Sequence, residues 1–218
     1  MLPGQNQIVA CPHCESLAQY MTLLSGNSFG TRIWTDGKQI APMLPLPPAV
    51  AKCRHCNECY WLANAREVGT VDAKWQNEPN RSHPDWDVAP AVEEPLEADF
   101  YAALGKGLAT DDQQERTLRI FAWWRRNDVY RDGVQGENKT PLTDEGRRNL
   151  VELSRLLDEA EDNDRIMKAE VLRELGEFEA ASEILDQVTA EEYEVVVRQL
   201  RQLCDNRNTC VSELQFGG

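Results

Sequence analysis

Five of the chain's seven cysteines fall within its first 59 residues: Cys11, Cys14, Cys53, Cys56 and Cys59. Two residues separate Cys11 from Cys14 and Cys53 from Cys56, and 38 residues lie between the pairs. Two residues between thiols let one tight turn aim both sulfurs at a single ion, and two such turns complete a tetrahedral set. Such a set suits a structural zinc ion and leaves no open position for a substrate. The first ten residues contain neither a basic stretch nor an apolar run, so no signal peptide is read and the expected address is the cytoplasm. Paired thiols in that setting read as metal ligands before disulfides.

Cys59 offers a second register, because Cys56 and Cys59 are also two residues apart. Cys53 with Cys56 is the preferred pair. Asn57 then follows the turn, where a residue tolerant of left-handed backbone is useful. Cys59 in that register begins the next strand as a small buried residue. The CxxCxxC run also fits iron–sulfur ligation, so iron, as a cluster or a rubredoxin-like single ion, is the alternative metal. His13 and His55 lie inside the paired spacings, where an imidazole is poorly placed to reach the same ion, and both are expected to be exposed. Cys204 shares a helix face with Leu200 and Leu203 and reads as a buried thiol, with Cys210 beyond it.

The elements that must position these cysteines are short strands. Met21–Leu24 is a β-type run closed by Ser25-Gly26-Asn27. Thr31–Thr35 alternates polar and apolar, Asp36-Gly37 forms a turn, and Lys38–Ile40 returns. Asp-Gly between two such runs predicts a hairpin with both turn positions at positive φ. A hairpin between two cysteine pairs is what a zinc ribbon contains, and Tyr60-Trp61-Leu62 is its expected closing strand. A unit of about 70 residues buries only a small core, so an ion crosslinking it would supply much of its stability.

Residues 71–94 include Pro79, Pro84 and Pro90, which forbid a continuous helix. They read as a Pro-containing linker or an irregular packed segment. Residues 95–218 read as helices. Pro95 starts one that ends at Gly105 and Gly107. Thr110 with Gln113 forms a capping box ahead of Leu118, Phe121 and Trp124. Gly133 and Gly136 bracket the next break. Pro141 and Thr143 precede a helix with Leu150, Leu153, Leu157 and Ala160 on one face. Asn163 or Asp164 caps the next, Gly176 interrupts it, and Thr189 with Glu192 caps the last. Adjacent Trp123 and Trp124 point about 100° apart on a helix, so one faces the helical core and the other a second surface.

The predicted fold is α+β: a β zinc ribbon over 1–70, the linker over 71–94, and a mainly α-helical domain over 95–218. Within the last, Leu175-Gly176-Glu177-Phe178-Glu179-Ala180-Ala181, followed by Leu185 and Val188, resembles half of a tetratricopeptide repeat. The resemblance covers roughly 162–188. It lacks the motif's terminal proline, with Tyr193 in that place, and no second copy is evident. It implies a helical hairpin and contact with a protein partner. The order CPHC, SGNSFGTRIWTDGKQIAPMLP, CRHC and WWRRND resembles a group of uncharacterised bacterial proteins that join an N-terminal zinc-ribbon-like segment to a helical C-terminal part. That resemblance implies the architecture and a bacterial origin, and no activity.

Charge narrows the function. The chain carries 23 Lys+Arg and 37 Asp+Glu, for a net charge of −14. Residues 1–70 hold five basic and four acidic groups, leaving 18 basic and 33 acidic groups in 71–218. Such an acidic region is repelled by a phosphate backbone and by an anionic membrane surface. No run approaches the roughly 20 apolar residues of a membrane span. No triad of Ser, His or Cys is readable, and Ser25–Gly30 lacks the Lys-Ser/Thr and following helix of a phosphate loop. The expectation is a non-enzymatic zinc-binding adaptor or scaffold that meets a protein partner through its helical domain. An iron-binding redox or electron-transfer protein is the alternative.

Overall fold

The computed structural model describes residues 1–72, 82–131 and 141–216. Pro79, Gly133 and Gly136 lie outside the described residues. The architecture is α+β, with small N-terminal sheets followed by a mostly helical part. In chain order the strands are β1 (Leu2–Ala10), β2 (Leu17–Ser25), β3 (Arg32–Ile33), β4 (Gln39–Ile40), β5 (Val50–Lys52), β6 (Cys59–Trp61) and β7 (Arg66–Val71). The helices are α1 (Pro84–Asp87), α2 (Glu97–Gly105), α3 (Asp112–Arg131), α4 (Asp144–Arg155), α5 (Asp162–Leu175), α6 (Phe178–Leu185) and α7 (Glu194–Asp205). Two compact units form. One comprises Met1–Thr31 and Ile40–Leu108, the other Arg32–Gln39 and Ala109–Gly218.

The cysteine unit is built on a three-stranded antiparallel sheet in the order β2-β1-β7. β1 is central, and its Ile8-Val9-Ala10 run is buried on both faces. Its first half, with Pro3, Gly4 and polar Gln5-Asn6-Gln7, carries no alternation, and the strand is invisible to pattern reading. β5 and β6 form a separate hairpin. Residues 82–94 belong to this unit; most are exposed, but Ala89 is buried and the backbone of 90–93 is tied to the strands. The Gln19 amide donates to the Pro90 carbonyl (2.8 Å), Val92 donates back to Gln19 (2.8 Å), and the Lys52 amide donates to Glu93 (2.9 Å). This strap ties β2 to β5. Trp86, on α1, lies against Gly69 of β7, where an added Cβ would collide with the indole ring. The helix α2 closes the unit: the Trp61 indole donates to the Leu108 carbonyl (3.1 Å), and Lys52 pairs with Asp99 (2.9 Å).

The helical unit includes the predicted Asp36-Gly37 hairpin through Gln39: β3, the turn and the first residue of β4. Its geometry differs from the expectation. Gly37 is left-handed (φ 79°) and Asp36 is not. The Gly37 amide donates to Trp34 (2.8 Å) and the Trp34 amide to Lys38 (3.0 Å), the pattern of a type I turn with a glycine bulge. The Asp36 side chain is fully buried as a result of its role, since it accepts from Asn127 Nδ2 (3.0 Å) and from the Arg131 guanidinium. Residues near the C-terminus pair with the hairpin's edge: Thr35 donates to Ser212 (2.9 Å) and Leu214 to Ile33 (2.8 Å).

Side-chain caps set the starts of α3 and α4, whereas α5 and α7 start without one. α3 begins one residue later than the Thr110–Gln113 box implies, because Asp111 accepts from the Gln114 amide (2.8 Å). Thr143 caps α4 by accepting from Gly146 (3.0 Å). Glu161 holds the N-cap position of α5, displacing the expected Asn163 or Asp164, and Asp164 instead pairs with Arg116. Ala160 falls outside α4 and is exposed. Thr189 bonds Asp162 instead of capping, and α7 starts at Glu194 after a short 3-10 turn. Gly176 ends α5 in left-handed geometry (φ 87°), so α5 and α6 form a helical hairpin.

α5 is the central helix. Ile166 and Ala169 enter one core with Phe178, Ala181, Leu185, Leu200 and Cys204. Val171 and Leu175 enter a second with Trp123, Leu150, Leu153 and Leu157. Trp123 is fully buried, while Trp124 turns to the hairpin and donates to the Asp36 carbonyl (2.9 Å), as the helical angle between them requires. α5 also buries Glu170, Arg173 and Glu174. Arg173 pairs with Glu170 and donates to the Cys210 carbonyl (3.1 Å). Glu174 accepts from the Trp123 indole (2.9 Å) and from Asn127 (2.9 Å).

Burial pushes the Glu174 carboxyl up to about 8, with Glu170 and Asp36 adding to the shift and Arg173 and Trp123 opposing it. A carboxyl raised in the fold stabilises it while protonated, and that contribution is lost as pH climbs from the unfolded value of 4.5 to about 8. Melting curves are therefore expected to show the helical unit losing stability from about pH 5 to about pH 8, with Glu174→Gln flattening the slope by up to about 1.4 kcal/mol per pH unit. An identical slope in the variant would show that another group is responsible. In the cysteine unit, Gly69→Ala is expected to cost about 1–3 kcal/mol by forcing Trp86 off the strand, read from denaturant midpoints.

Candidate metal centre

Each cysteine pair sits in the turn of its own hairpin. Cys11 and Cys14 lie between β1 and β2, and Cys53 and Cys56 lie between β5 and β6. The Asp36-Gly37 hairpin, expected between the pairs as part of a ribbon, is grouped with the helical unit instead. The two turns repeat one geometry. Glu15 donates to the Cys11 carbonyl (2.9 Å) and Asn57 to the Cys53 carbonyl (2.9 Å). Cys11 donates to Ser16 (2.9 Å) and Cys53 to Glu58 (3.0 Å). Glu15 (φ 58°) and Asn57 (φ 62°) are both left-handed. Asn57 is a residue type suited to that region, and Glu15 takes the same geometry with a side chain that gives no hint of it.

The turns bring four sulfurs together. Those of Cys11, Cys14, Cys53 and Cys56 all lie within 4.8 Å of one another. Cys11 Sγ is 3.9 Å from Cys56 Sγ, and Cys14 Sγ is 3.6 Å from Cys53 Sγ. Sulfurs bound to one tetrahedral zinc at about 2.3 Å lie about 3.8 Å apart. None of the four is in a disulfide. The fifth candidate, Cys59, is not in the group: it begins β6, and its thiol faces the Asp99 carbonyl (3.9 Å). Burial pushes Cys59 up to about 11. His13 and His55 are exposed, and what they contribute is backbone. The His13 amide points at Cys11 Sγ (3.5 Å) and the His55 amide at Cys53 Sγ (3.4 Å).

Ser16 is the residue that pattern reading overlooks. Its Oγ lies 3.2 Å from Cys14 Sγ and 3.1 Å from Cys53 Sγ, one sulfur from each turn. The hydroxyl has one proton and can donate to either sulfur in turn. Only its place two residues after Cys14 could have flagged it. The donors divide the thiols. Burial raises Cys53, but Ser16 and the Cys56 and His55 amides outweigh it and bring the thiol down to about 6. Ser16 also lowers Cys14. Burial dominates at Cys11, pushed up to about 12, and raises Cys56. Beneath the sulfurs, Val9, Ala51, Tyr60 and Ala65 form a small apolar core.

Groups that orient metal ligands are worth about 10–100-fold in metal affinity. Ser16→Ala is expected to weaken retention of a bound metal within that range, measured by competition with a chromophoric chelator. Unchanged competition would mean that the hydroxyl does not support the site. No protein-family model matches the chain, and neither does any curated protein or solved structure.

Proposed function

We propose that the cysteine unit holds one structural zinc ion through Cys11, Cys14, Cys53 and Cys56, in the manner of a zinc ribbon. The observation that carries this reading is the approach of four sulfurs to within 4.8 Å. Four protein ligands close a tetrahedral site, so the ion crosslinks two hairpins and offers no position for a reacting substrate. Sulfurs this close favour a single ion over an iron–sulfur cluster, whose thiolate ligands stand farther apart. A single iron ion fits the same thiolates and remains the second reading, because the donor set is identical.

The helical unit is the partner-binding part of this reading. Support comes from the α5–α6 hairpin, where Gly176, Phe178 and Ala181 take the small, aromatic and small places of a tetratricopeptide half-repeat. Among the described residues no helix is long and apolar enough to cross a membrane, and the acidity of 71–218 argues against nucleic acid. The chain is thus read as a non-enzymatic, cytoplasmic, zinc-stapled adaptor.

Elemental analysis of the full chain, purified without a metal-affinity tag, tests the centre. About one zinc per chain and a colourless solution are expected. Visible absorption with iron would transfer the site to electron transfer. Folded protein with four reduced thiols and no metal would overturn the reading. Cys53→Ser is expected to release the metal and unfold the cysteine unit, because structural zinc contributes about 10–16 kcal/mol in small domains.

A further inference from the structure

On α3 of the helical unit, Thr117, Ile120, Phe121 and Trp124 recur at helical spacing, and none is fully buried. They line a groove of about 490 Å³ together with Tyr193 and Val196 at the start of α7. Trp34 of the hairpin and Met167 of α5 complete its apolar wall, and exposed Phe216 stands at its edge. The volume lies within the roughly 300–1,000 Å³ of clefts that hold ligands. Trp, Tyr, Phe and Met are the residue types that concentrate binding energy at protein contacts.

Charge of both signs borders this groove: the guanidinium groups of Arg32 (5.0 Å) and Arg131 (5.4 Å) already cover the Trp34 ring, whereas the carboxylates beside Tyr193 are unpaired among the described residues. Among the described residues, Glu192 is the one charged side chain in its wall. Glu191 and Glu194 flank it, all three are exposed, and none makes an ion pair or side-chain hydrogen bond among the described residues. The cations of α3 and α5 near the groove are already engaged: Arg125 by Asp128, Arg131 by Asp36, and Arg165 by Asp162. Arg198, one turn beyond Glu194, pairs with none of the three among the described residues. An incoming cation therefore meets carboxylates that have no ion-pair partner among the described residues, beside the rings of Phe121, Trp124 and Tyr193, the Trp34 face being occupied by Arg32 and Arg131.

We propose that this groove is the docking site for a short segment of a protein partner in which an aromatic or aliphatic anchor stands next to Lys or Arg. The proposal rests on the reading of the helical unit as a protein-contact module and names its surface and the chemistry of its partner. The anchor fills the apolar wall, and the basic side chain reaches the Glu191–Glu194 rim. An acidic segment is repelled there, and a neutral one leaves the rim unused.

The test pans a random dodecapeptide phage library on the immobilised full-length chain. Selected peptides are then titrated into 15N-labelled full-length protein. Enriched sequences are expected to join an apolar anchor to Lys or Arg. They are expected to shift the indole N–H signals of Trp34 and Trp124 and leave that of Trp61 in place. Glu192→Lys with Glu194→Lys, both on exposed positions, is expected to keep the melting temperature and weaken binding by about tenfold or more. Enrichment of acidic peptides, or shifts at Trp61 in place of Trp124, or binding indifferent to the charge reversal, would overturn the assignment. Failure to select any peptide would overturn it as well. A purified protein that binds the intact chain and its charge-reversed variant equally would sink the groove and leave the adaptor reading standing.

Discussion

Four sulfurs held within reach of a single ion set the terms for the cysteine unit. Without a cation such a cluster resists full ionisation, because each thiolate raises the cost of the next. The protein meets that constraint with donors: backbone amides, among them those of His13, His55 and Cys56, and the Ser16 hydroxyl point at the sulfurs. A divalent ion bound there would reverse the electrostatics and turn crowded thiols into a crosslink between β1–β2 and β5–β6. The rest of the unit holds the two turns in register. The strap at Pro90–Glu93 joins β2 to β5, and Asp99 and Leu108 engage Lys52 and Trp61 on the β5–β6 hairpin.

The helical unit solves a different problem. Its central helix α5 is apolar on two sides and still buries Glu170, Arg173 and Glu174. Removing one partner from such a network strands a buried charge, whereas the intact network fixes which helix face meets which neighbour. Asn127 is the link, since one amide group reaches both Asp36 and Glu174. The hairpin is thereby tied to α3 and α5 through a turn residue that ordinarily would face solvent.

Much of this was legible in the residues and some was not. The x2 spacing of Cys11, Cys14, Cys53 and Cys56 identified the convergent thiols, and Asn57 identified the register over Cys59, because both follow from local turn geometry. Trp123 and Trp124 divided between two surfaces because helical geometry leaves little choice. β1 was missed, since its ladder is set by long-range pairing and its polar first half shows no alternation. Asp36 is legible only as a turn residue; its burial depends on Asn127 and Arg131, about ninety positions away. Cap positions slipped by one to four residues, least where several capping side chains stand in a row, as at Thr110-Asp111-Asp112, and tertiary partners decide among them.

The hairpin Arg32–Gln39 lies in the chain between the two cysteine pairs, yet its contacts are with the helical unit. The backbone therefore passes from one unit to the other after Thr31, after Gln39 and again after Leu108. No single cut divides such a chain into two complete pieces. A fragment starting at Ala109 leaves Arg131 and Asn127 without Asp36, and one ending at Leu108 carries a hairpin stripped of its partners. The same interleaving orders events on a ribosome. The cysteine unit has all its residues once Leu108 has emerged, whereas the small hairpin it carries waits for Ser212 and Leu214, among the last described residues, before its edge is paired.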